Sequence, residues 1–486
     1  MSNDNHTRET GAKKVLRLLL QSGELFRDRQ GRAYGTFQLS GRLRTVMLDT
    51  KEFRSWLTSF FLTQLKSALA ATECDAIIDA LTQKAQSAPQ REIFVRVGHD
   101  SGNLVLDLCR DDGQVVLVES CIWRIVPTCV PKFIRPRGML ALPLPATRHS
   151  NLRTELEPFF GSNRRDMALV CGYLVGLLNP TFPQPVLEII GPQGSGKSSR
   201  AKVIRSSVDP NFAPIRRPPR SERDLFISAG RSWILCLENI SSIPPWLSDA
   251  LCSIATGGGY ATRKLWEDED EILFDVRRSV VVNGIHEVIT RPDLRDRALS
   301  IRAEQISPSQ RKTEEEFRNI FAESHPRILG AIADCASTAL HLKDALRPPQ
   351  LPRLADWYQF VLAAAEDPAF GFSPHEFEEA FAANREEGRQ HSIDASAVGS
   401  ELLILIQDQG PWHGTMKDLL ENLNARASET QQRAQEWPKS PERLRHAIER
   451  IAPDLKIAGL TITSSRSPDK SHSRLISLEF SREMSE

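Results

Sequence analysis

Long hydrophobic runs, a surplus of one charge and paired cysteines are absent from this sequence of 486 residues. Its longest apolar stretch, residues 167–178, falls short of the ~20 residues that a bilayer-crossing helix needs. Its 62 Lys and Arg residues equal its 62 Asp and Glu residues, so whole-chain basicity indicates no nucleic-acid partner. A membrane-spanning protein is therefore excluded, and any nucleic-acid contact must come from local patches.

The eight cysteines are scattered, without a CxxC pair or a Cys/His group at zinc-ligand spacing. Most lie in apolar segments, such as Cys236 within residues 233–237, which is typical of buried reduced thiols. The polar N-terminus is followed by a short apolar run that Arg17 interrupts, so no signal peptide is predicted. We therefore expect a cytoplasmic protein without a membrane partner.

With 40% hydrophobic and 26% charged residues, the chain is long enough for about two to four domains, each with its own core. Residues 1–147 mix predicted helices with short strands and contain no catalytic motif. We interpret them as an α+β domain of unknown role. Four prolines between residues 130 and 147 disfavour a helix or a central strand and mark a domain boundary there.

Three further domains are predicted downstream. Residues 148–305 alternate apolar strands with helices, which is typical of a parallel sheet covered on both faces. Residues 306–392 form a helical region, with helices expected at 313–322, 327–344, 355–365 and 375–384 and a polar loop at 390–398. Residues 393–486 are expected to fold into three helices followed by two strands.

A phosphate-binding loop is predicted at residues 191–198, because Gly-Pro-Gln-Gly-Ser-Gly-Lys-Ser matches GxxxxGK[ST] between an apolar strand and a helix. Glycines let backbone N–H groups converge on a phosphate, and the helix N-terminus adds a positive dipole. Lys197 is expected to reach the β- and γ-phosphates of ATP, and Ser198 to bind Mg²⁺. The candidate nucleotide-binding residues are Gly191, Pro192, Gln193, Gly194, Ser195, Gly196, Lys197, Ser198 and Ser199.

Two more strand ends carry candidate catalytic residues. Glu238 ends the apolar run 233–237 and is expected to hold Mg²⁺ and polarise the attacking water. Asn283 ends the predicted strand that starts at Ser279, at the sheet edge where ligands of open α/β sheets bind. Asn283 either senses the γ-phosphate or simply forms a turn with Gly284. The arginines at 291, 295 and 297 suit a phosphate on a neighbouring subunit, or they form a solvated charged run.

In order and spacing, the loop and the strands 233–239 and 280–285 resemble the Walker A, Walker B and C motifs of superfamily 3 helicases. The likeness is strongest to the primase-helicase ATPases of phages, plasmids and poxviruses, and it is concentrated in residues 185–305. The resemblance implies an α/β P-loop NTPase core of AAA+ type, assembled into a hexameric ring with ATP between subunits. It further implies a DNA-helicase motor that moves on single-stranded DNA in replication of a phage, plasmid or other mobile element.

Site roles also follow from this resemblance. Residues 255–266 are similar to the glycine-led segment that leads to a DNA-facing hairpin, which implies contacts from Arg263 and Lys264 to the nucleic acid. Arg297 is then the first candidate for the arginine finger. The family also implies a primase or polymerase partner, although residues 1–145 show no primase active site.

One departure from the family pattern keeps a second hypothesis open. The family usually has two adjacent acids at the end of its Walker B strand, whereas here Glu238 is followed by Asn239. Either Glu238 takes both roles, or hydrolysis is slow. In the second case the protein is an ATP-switched DNA-binding or assembly protein.

The C-terminal unit resembles a winged helix-turn-helix domain. Its third predicted helix starts at Ser440–Pro441 and places Arg443 and Arg445 outward. Between residues 433 and 474, nine Lys and Arg residues stand against five Asp and Glu residues. We expect Arg443 and Arg445 to contact duplex DNA, while protein docking is the alternative role.

Overall fold

The computed structural model describes residues 10–39, 42–147, 150–263, 271–434, 437–466 and 474–480. Along the chain, an α+β region is followed by a parallel-sheet region, a helical region and a small C-terminal unit. No helix in this described part is long and apolar enough to cross a membrane.

The first region contains three helices and nine short strands. They are α1 (Gly11–Ser22), β1 (Glu24–Arg27), β2 (Ala33–Leu39), β3 (Arg42–Met47), α2 (Lys51–Leu65), α3 (Ala71–Gln86), β4 (Ile93–Phe94), β5 (Val97–Asp100), β6 (Asn103–Asp107), β7 (Val115–Glu119), β8 (Ile122–Val126) and β9 (Lys132–Phe133). The antiparallel sheet β1-β2-β3 and helices α1–α3 enclose a separate apolar core. The antiparallel sheet β5-β6-β7-β8 instead shares its core with the next region. The hydrophobic core therefore does not break at residue 147.

The second region is built around a four-stranded parallel sheet. Its elements are α4 (Leu152–Phe160), α5 (Arg164–Gly176), β10 (Val186–Ile190), α6 (Lys197–Val208), α7 (Glu222–Gly230), β11 (Ile234–Leu237), α8 (Pro245–Thr256), β12 (Gly258–Arg263), β13 (Glu271–Val276), β14 (Ser279–Gly284), α9 (Pro292–Arg295) and β15 (Ala298–Arg302). The strand order is β11-β14-β10-β15, and every neighbouring pair is parallel. Strands β10, β11 and β14 are buried along their whole length because helices cover both faces. The parallel sheet predicted for this region is confirmed.

The sheet brings three carboxyl ends together. In the register of β10 with β14, Ile190 lies opposite Gly284, and in that of β11 with β14, Leu237 lies opposite Val282. The loop after β10, Glu238 after β11 and Asn283 on β14 therefore share one edge. An antiparallel hairpin of β12 and β13 lies between β11 and β14 in the sequence.

The helical region contains α10 (Glu314–Leu342), α11 (Ala355–Ala364) and α12 (Pro374–Ala395). The two helices predicted at 313–322 and 327–344 are one 29-residue helix that continues through Pro326. Close packing holds this helix in place: a Cβ on Gly330 would lie 2.0 Å from the carbonyl oxygen of Ala146. The polar loop predicted at 390–398 was also wrong. Most of it is helical because Ser392 and Ile393 are buried in α12 and Ser396 caps the next helix.

The C-terminal unit contains α13 (Ala397–Gln409), β16 (Trp412–Thr415), α14 (Met416–Arg426), α15 (Glu429–Arg433), α16 (Pro441–Ile457), β17 (Leu460–Arg466) and β18 (Arg474–Phe480). The sheet order is β16-β18-β17, and both pairs are antiparallel. The three predicted helices and two predicted strands are present, and Thr415 caps α14 as expected. Strand β16 and helix α15 were not predicted, since each has at most five residues.

Candidate nucleotide-binding site

The loop of residues 191–196 connects β10 to the N-terminus of α6. Gly191, Gly194 and Gly196 have positive φ angles of 153°, 81° and 76°. A Cβ on Gly191 would lie 2.2 Å from the carbonyl oxygen of Ala303, so the close approach of β15 requires glycine there. The loop thus presents its backbone around the first turn of α6, where free N–H groups and the helix dipole favour an anion.

The Lys197 ammonium and the Ser195 hydroxyl both lie at this loop. The Lys197 ammonium donates to the carbonyl oxygens of Gly191 and Pro192, each at 2.7 Å. Partial burial lowers the pKa of Lys197 from its ordinary value. The Ser195 hydroxyl is buried and has no hydrogen-bond partner among the described residues. A phosphate oxygen would supply the acceptor that the Ser195 hydroxyl lacks and an alternative acceptor for Lys197.

Ser198 and Glu238 face each other across the sheet edge. The Ser198 hydroxyl lies 3.4 Å from Glu238 Oε2, and both side chains are half-buried. The backbone N–H of Glu238 donates to the carbonyl oxygen of Arg216 at 2.8 Å, which holds the end of β11 in place. The structure therefore brings together the two residues that the sequence predicts as magnesium ligands.

Asn283 joins this pair from β14. Its Oδ1 accepts a hydrogen bond from the backbone N–H of Asn239 at 2.9 Å. Its Nδ2 is buried and has no partner among the described residues. Asn239 has a φ of 57°, a left-handed conformation that Asn tolerates well, and its side chain is exposed. Lys197, Ser198, Glu238 and Asn283 thus occupy one edge of one sheet.

The three candidate finger arginines lie at the opposite edge or inside the fold. Arg297 precedes β15, at the end of the sheet away from the loop, and its guanidinium donates to the carbonyl oxygen of Asp293. Arg291 pairs with Asp249 at 2.8 Å and Asp293 at 3.1 Å.

Arg295 has a buried role within the chain. Its Nη1 lies 2.9 Å from Glu188 Oε2, and both side chains are almost fully buried. Glu188 also accepts hydrogen bonds from the backbone N–H groups of Val288 and Ile289. This buried pair engages Arg295 within its own chain.

Three of the four predicted nucleic-acid contacts, Arg263, Arg443 and Arg445, belong to β12 and α16 and not to the elements of this edge. Arg263 is the last residue of β12, and Lys264 lies outside the described residues. Arg443 is exposed in the first turn of α16, whereas Arg445 is half-buried.

Sequence reasoning missed a segment that follows β15 and lies against the loop. A Cβ on Gly196 would lie 3.0 Å from Ile306 Cδ1, and one on Gly194 would lie 3.8 Å from Arg311 Nη2. These residues are more than a hundred positions from the loop in the sequence. No local pattern marks them, because the parallel pairing of β10 with β15 creates the contact.

Two family models match the chain. The model "Actinomycete integrative conjugative element replication protein" matches residues 156–380, and the model "AICE RepA C-terminal domain" matches residues 398–485. These two parts of the chain are thus similar to the replication protein of actinomycete integrative conjugative elements. This similarity supports the expected role in replication of a mobile element, and it points to a narrower group of proteins than the superfamily 3 helicases.

Other comparisons are more distant. No curated protein matches the chain. The solved structure "SCCmec type IV Cch - active helicase" has a TM-score of 0.49 and 12% identity, covering 94% of this chain and 93% of that one. The C-terminal region of NrS-1 has a TM-score of 0.41 and 11% identity, covering 97% and 100%. Both TM-scores are below 0.5, so neither likeness indicates an activity of this chain.

The residues of the site fit a nucleoside triphosphate and one divalent cation. The unpartnered Ser195 hydroxyl and Asn283 amide are buried donors at the edge that holds the loop. Among the described residues, no group of three or more His, Cys, Asp or Glu side chains could hold a metal ion. A cation here would therefore take one hydroxyl and one carboxylate from the protein and its other ligands from phosphate and water, which is typical of Mg²⁺.

Proposed function

We propose that this replication protein is an ATP-hydrolysing motor that moves on single-stranded DNA and separates strands of an integrative conjugative element. The observation that carries the proposal is the convergence of Lys197, Ser198, Glu238 and Asn283 at the carboxyl edge of one parallel sheet. Ligands of open α/β sheets bind at this edge.

Each residue at the edge has a chemical task. Lys197 exchanges its two carbonyl acceptors for β- and γ-phosphate oxygens. Ser198 and Glu238 hold Mg²⁺, which supplies charge neutralisation at the phosphates. Glu238 orients the attacking water, and the free Nδ2 of Asn283 donates to a phosphate oxygen or to that water.

Assembly and DNA contacts complete the proposal. Arg297 lies at the edge away from its own loop, so it reaches a phosphate only on a neighbouring copy in a ring. The hairpin of β12 and β13 contacts single-stranded DNA through Arg263 and Lys264. The C-terminal unit has the helix and strand order of a winged helix, with exposed Arg443 on α16 available to duplex phosphates.

ATP turnover with no DNA, with single strands and with duplex tests this proposal. We expect single strands to stimulate turnover, and Lys197→Ala to abolish it. Lys202→Ala is the matched control, because Lys202 is on the same helix but pairs with Glu314 at 3.7 Å. Turnover indifferent to DNA, or unchanged in Lys197→Ala, would contradict the motor.

Asn239 favours a second candidate, an ATP-switched assembly or DNA-binding protein. The position after Glu238 carries an amide where the resembling helicases carry a second acid, and its backbone N–H is already used by Asn283. Asn239→Asp supplies that acid at an exposed position whose left-handed backbone Asp also tolerates. Negligible turnover in the wild type, ATP-dependent oligomers, and turnover gained by Asn239→Asp would together support the switch.

A further inference from the structure

We propose that residues 216–223, the basic segment, form a second binding surface for the phosphates of single-stranded nucleic acid. The inference rests on the proposed function and adds a contact to it. The basic segment reads Arg-Arg-Pro-Pro-Arg-Ser-Glu-Arg, so four of its eight residues are arginine and one is acidic. It connects α6 to α7.

One end of the basic segment is fastened to the strand that precedes Glu238. Arg216 pairs in parallel with Leu237: its N–H donates to the carbonyl oxygen of Cys236 at 3.0 Å, and its carbonyl oxygen accepts from Glu238 N–H at 2.8 Å. Arg217, the next residue, therefore leaves the sheet beside Glu238.

The other end of the basic segment is connected to the hairpin of β12 and β13. Ser221 caps α7, and Phe226 on that helix stacks on Tyr260 of β12 with ring centroids 4.7 Å apart. Phe226 also contacts Phe274 of β13, at 6.2 Å. From the start of α7 to Phe226 is about one helical turn, roughly 6 Å. The basic segment therefore lies beside the base of the proposed DNA-facing hairpin.

The charges of this segment are not neutralised by the protein. Arg217 and Arg220 are exposed and have no ion pair among the described residues, and Arg223 has a buried Nε without a partner. The nearby Asp224 carboxylate accepts from the Ser221 hydroxyl at 2.7 Å.

The shape of the segment favours a polyanion over an apolar protein surface. Pro218 and Pro219 restrict the backbone to extended conformations, which keeps the flanking arginines apart and ordered before binding. Apart from these prolines, residues 216–223 contain no apolar side chain. Forked guanidinium groups on a pre-ordered backbone suit a row of phosphates.

Binding of a labelled oligothymidylate across a salt series tests the inference in the full-length protein. We expect Arg217→Ala/Arg220→Ala to weaken binding at least tenfold. The log–log salt slope should fall by about 1.4, since each single-strand phosphate contact contributes about 0.7. Arg217→Lys/Arg220→Lys should retain most of the binding. Arg231→Ala/Arg318→Ala removes the same charge from exposed residues, one directly after α7 and one on α10, and should leave affinity and slope near wild type.

The outcomes separate this inference from the motor itself. An unchanged slope in the Arg217→Ala/Arg220→Ala variant overturns the inference, whatever the turnover. Retained DNA binding with lost ATP-dependent oligomers in sedimentation would make the segment a subunit contact and overturn it as well. If wild type binds single strands without stimulated turnover, and the variant loses that binding, the motor fails while the basic segment stands.

Discussion

At the residue scale, Asn283 uses the two ends of its amide differently. The oxygen accepts the Asn239 N–H and holds the turn after β11, whereas the buried nitrogen has no partner among the described residues. Sequence alone left two roles open for this residue, a turn former and a catalytic group. In the structure, Oδ1 holds the turn, and Nδ2 stays available for the predicted catalytic role.

Replacing Asn283 with Asp separates these roles. The carboxylate still accepts from Asn239, but it cannot donate to a phosphate or a water. We expect turnover to fall by about ten- to a hundredfold, since a hydrogen bond to a charged group contributes about 1.5–3 kcal/mol. Because Asn283 is almost fully buried, the new carboxylate should also lower the melting temperature, so turnover is compared well below the onset of unfolding.

Asn283→Ala provides the comparison. It removes the acceptor as well and leaves the Asn239 N–H unpaired, so it should also cost roughly 1–3 kcal/mol of stability. Wild-type turnover in Asn283→Asp would show that Nδ2 takes no part in the reaction.

The buried His325 should make the stability of the protein depend on pH. It is buried on α10, stacks on Phe321 with ring centroids 4.7 Å apart, and its Nε2 lies 3.2 Å from the carbonyl oxygen of Ser207. Burial lowers the pKa of His325 from 6.5 to about 4. The folded state thus binds this proton less readily than the unfolded state, and stability falls as the pH drops from 6.5 toward 4.

The free energy of unfolding should fall by about 3 kcal/mol between pH 6.5 and pH 4 because of His325. Urea unfolding at a series of pH values measures it. His325→Gln should flatten the slope between pH 6.5 and 4, while the exposed His446 is the control, and His446→Gln should leave the slope unchanged. An equally steep slope in His325→Gln would exclude this residue as the cause.

At the element scale, the contact between α7 and the hairpin is an aromatic cluster. Phe226 is fully buried and contacts both Tyr260 and Phe274. Through these two ring contacts, α7 packs against both strands of the hairpin. Binding at the hairpin therefore has a packed route to the sheet edge that carries Glu238.

Phe226→Ala should uncouple the hairpin from turnover. The change removes a buried ring, at a cost of about 3–5 kcal/mol, and loosens the packing of the hairpin. We expect turnover without DNA to persist and its stimulation by single strands to be lost. Phe226→Leu, which fills most of the space, should retain most of the stimulation. Full stimulation in Phe226→Ala, with the fold intact by circular dichroism, would exclude this route.

At the scale of the whole molecule, a buried cluster joins the first region to the parallel-sheet region. Arg96 is fully buried, has a φ of 66°, and its Nε lies 3.3 Å from Asp209 Oδ1. Its Nη1 donates to the carbonyl oxygen of Asp107 at 2.9 Å. Asp209 ends α6 and accepts from the backbone N–H groups of Trp233 and Ile234 at the start of β11. The helix behind the phosphate-binding loop is thus connected to the first region.

Arg96→Ala should destabilise the protein strongly. It breaks the buried ion pair with Asp209, which then keeps Arg205 at 3.9 Å. Removal of one partner of a buried ion pair costs about 3–5 kcal/mol. Urea unfolding followed by tryptophan fluorescence measures this, because Trp233 is buried next to Asp209. Arg91→Ala removes a surface arginine 3.7 Å from Glu24 and should change stability by less than about 1 kcal/mol. An equal loss of stability in the two variants would show that the Arg96 cluster does not stabilise the contact between the two regions.

The sequence by itself determined the chemistry of the sheet edge. The glycine-rich loop, the apolar strands and the polar residues at their ends are local patterns, and parallel pairing places such ends together. Tertiary structure decided the partners of the charged residues. Glu188 with Arg295, Arg96 with Asp209 and Arg216 beside β11 are contacts between distant positions, so local patterns do not reveal them. The physical reason is that a charge in a sequence shows which interactions are available, and only the path of the chain shows which one forms.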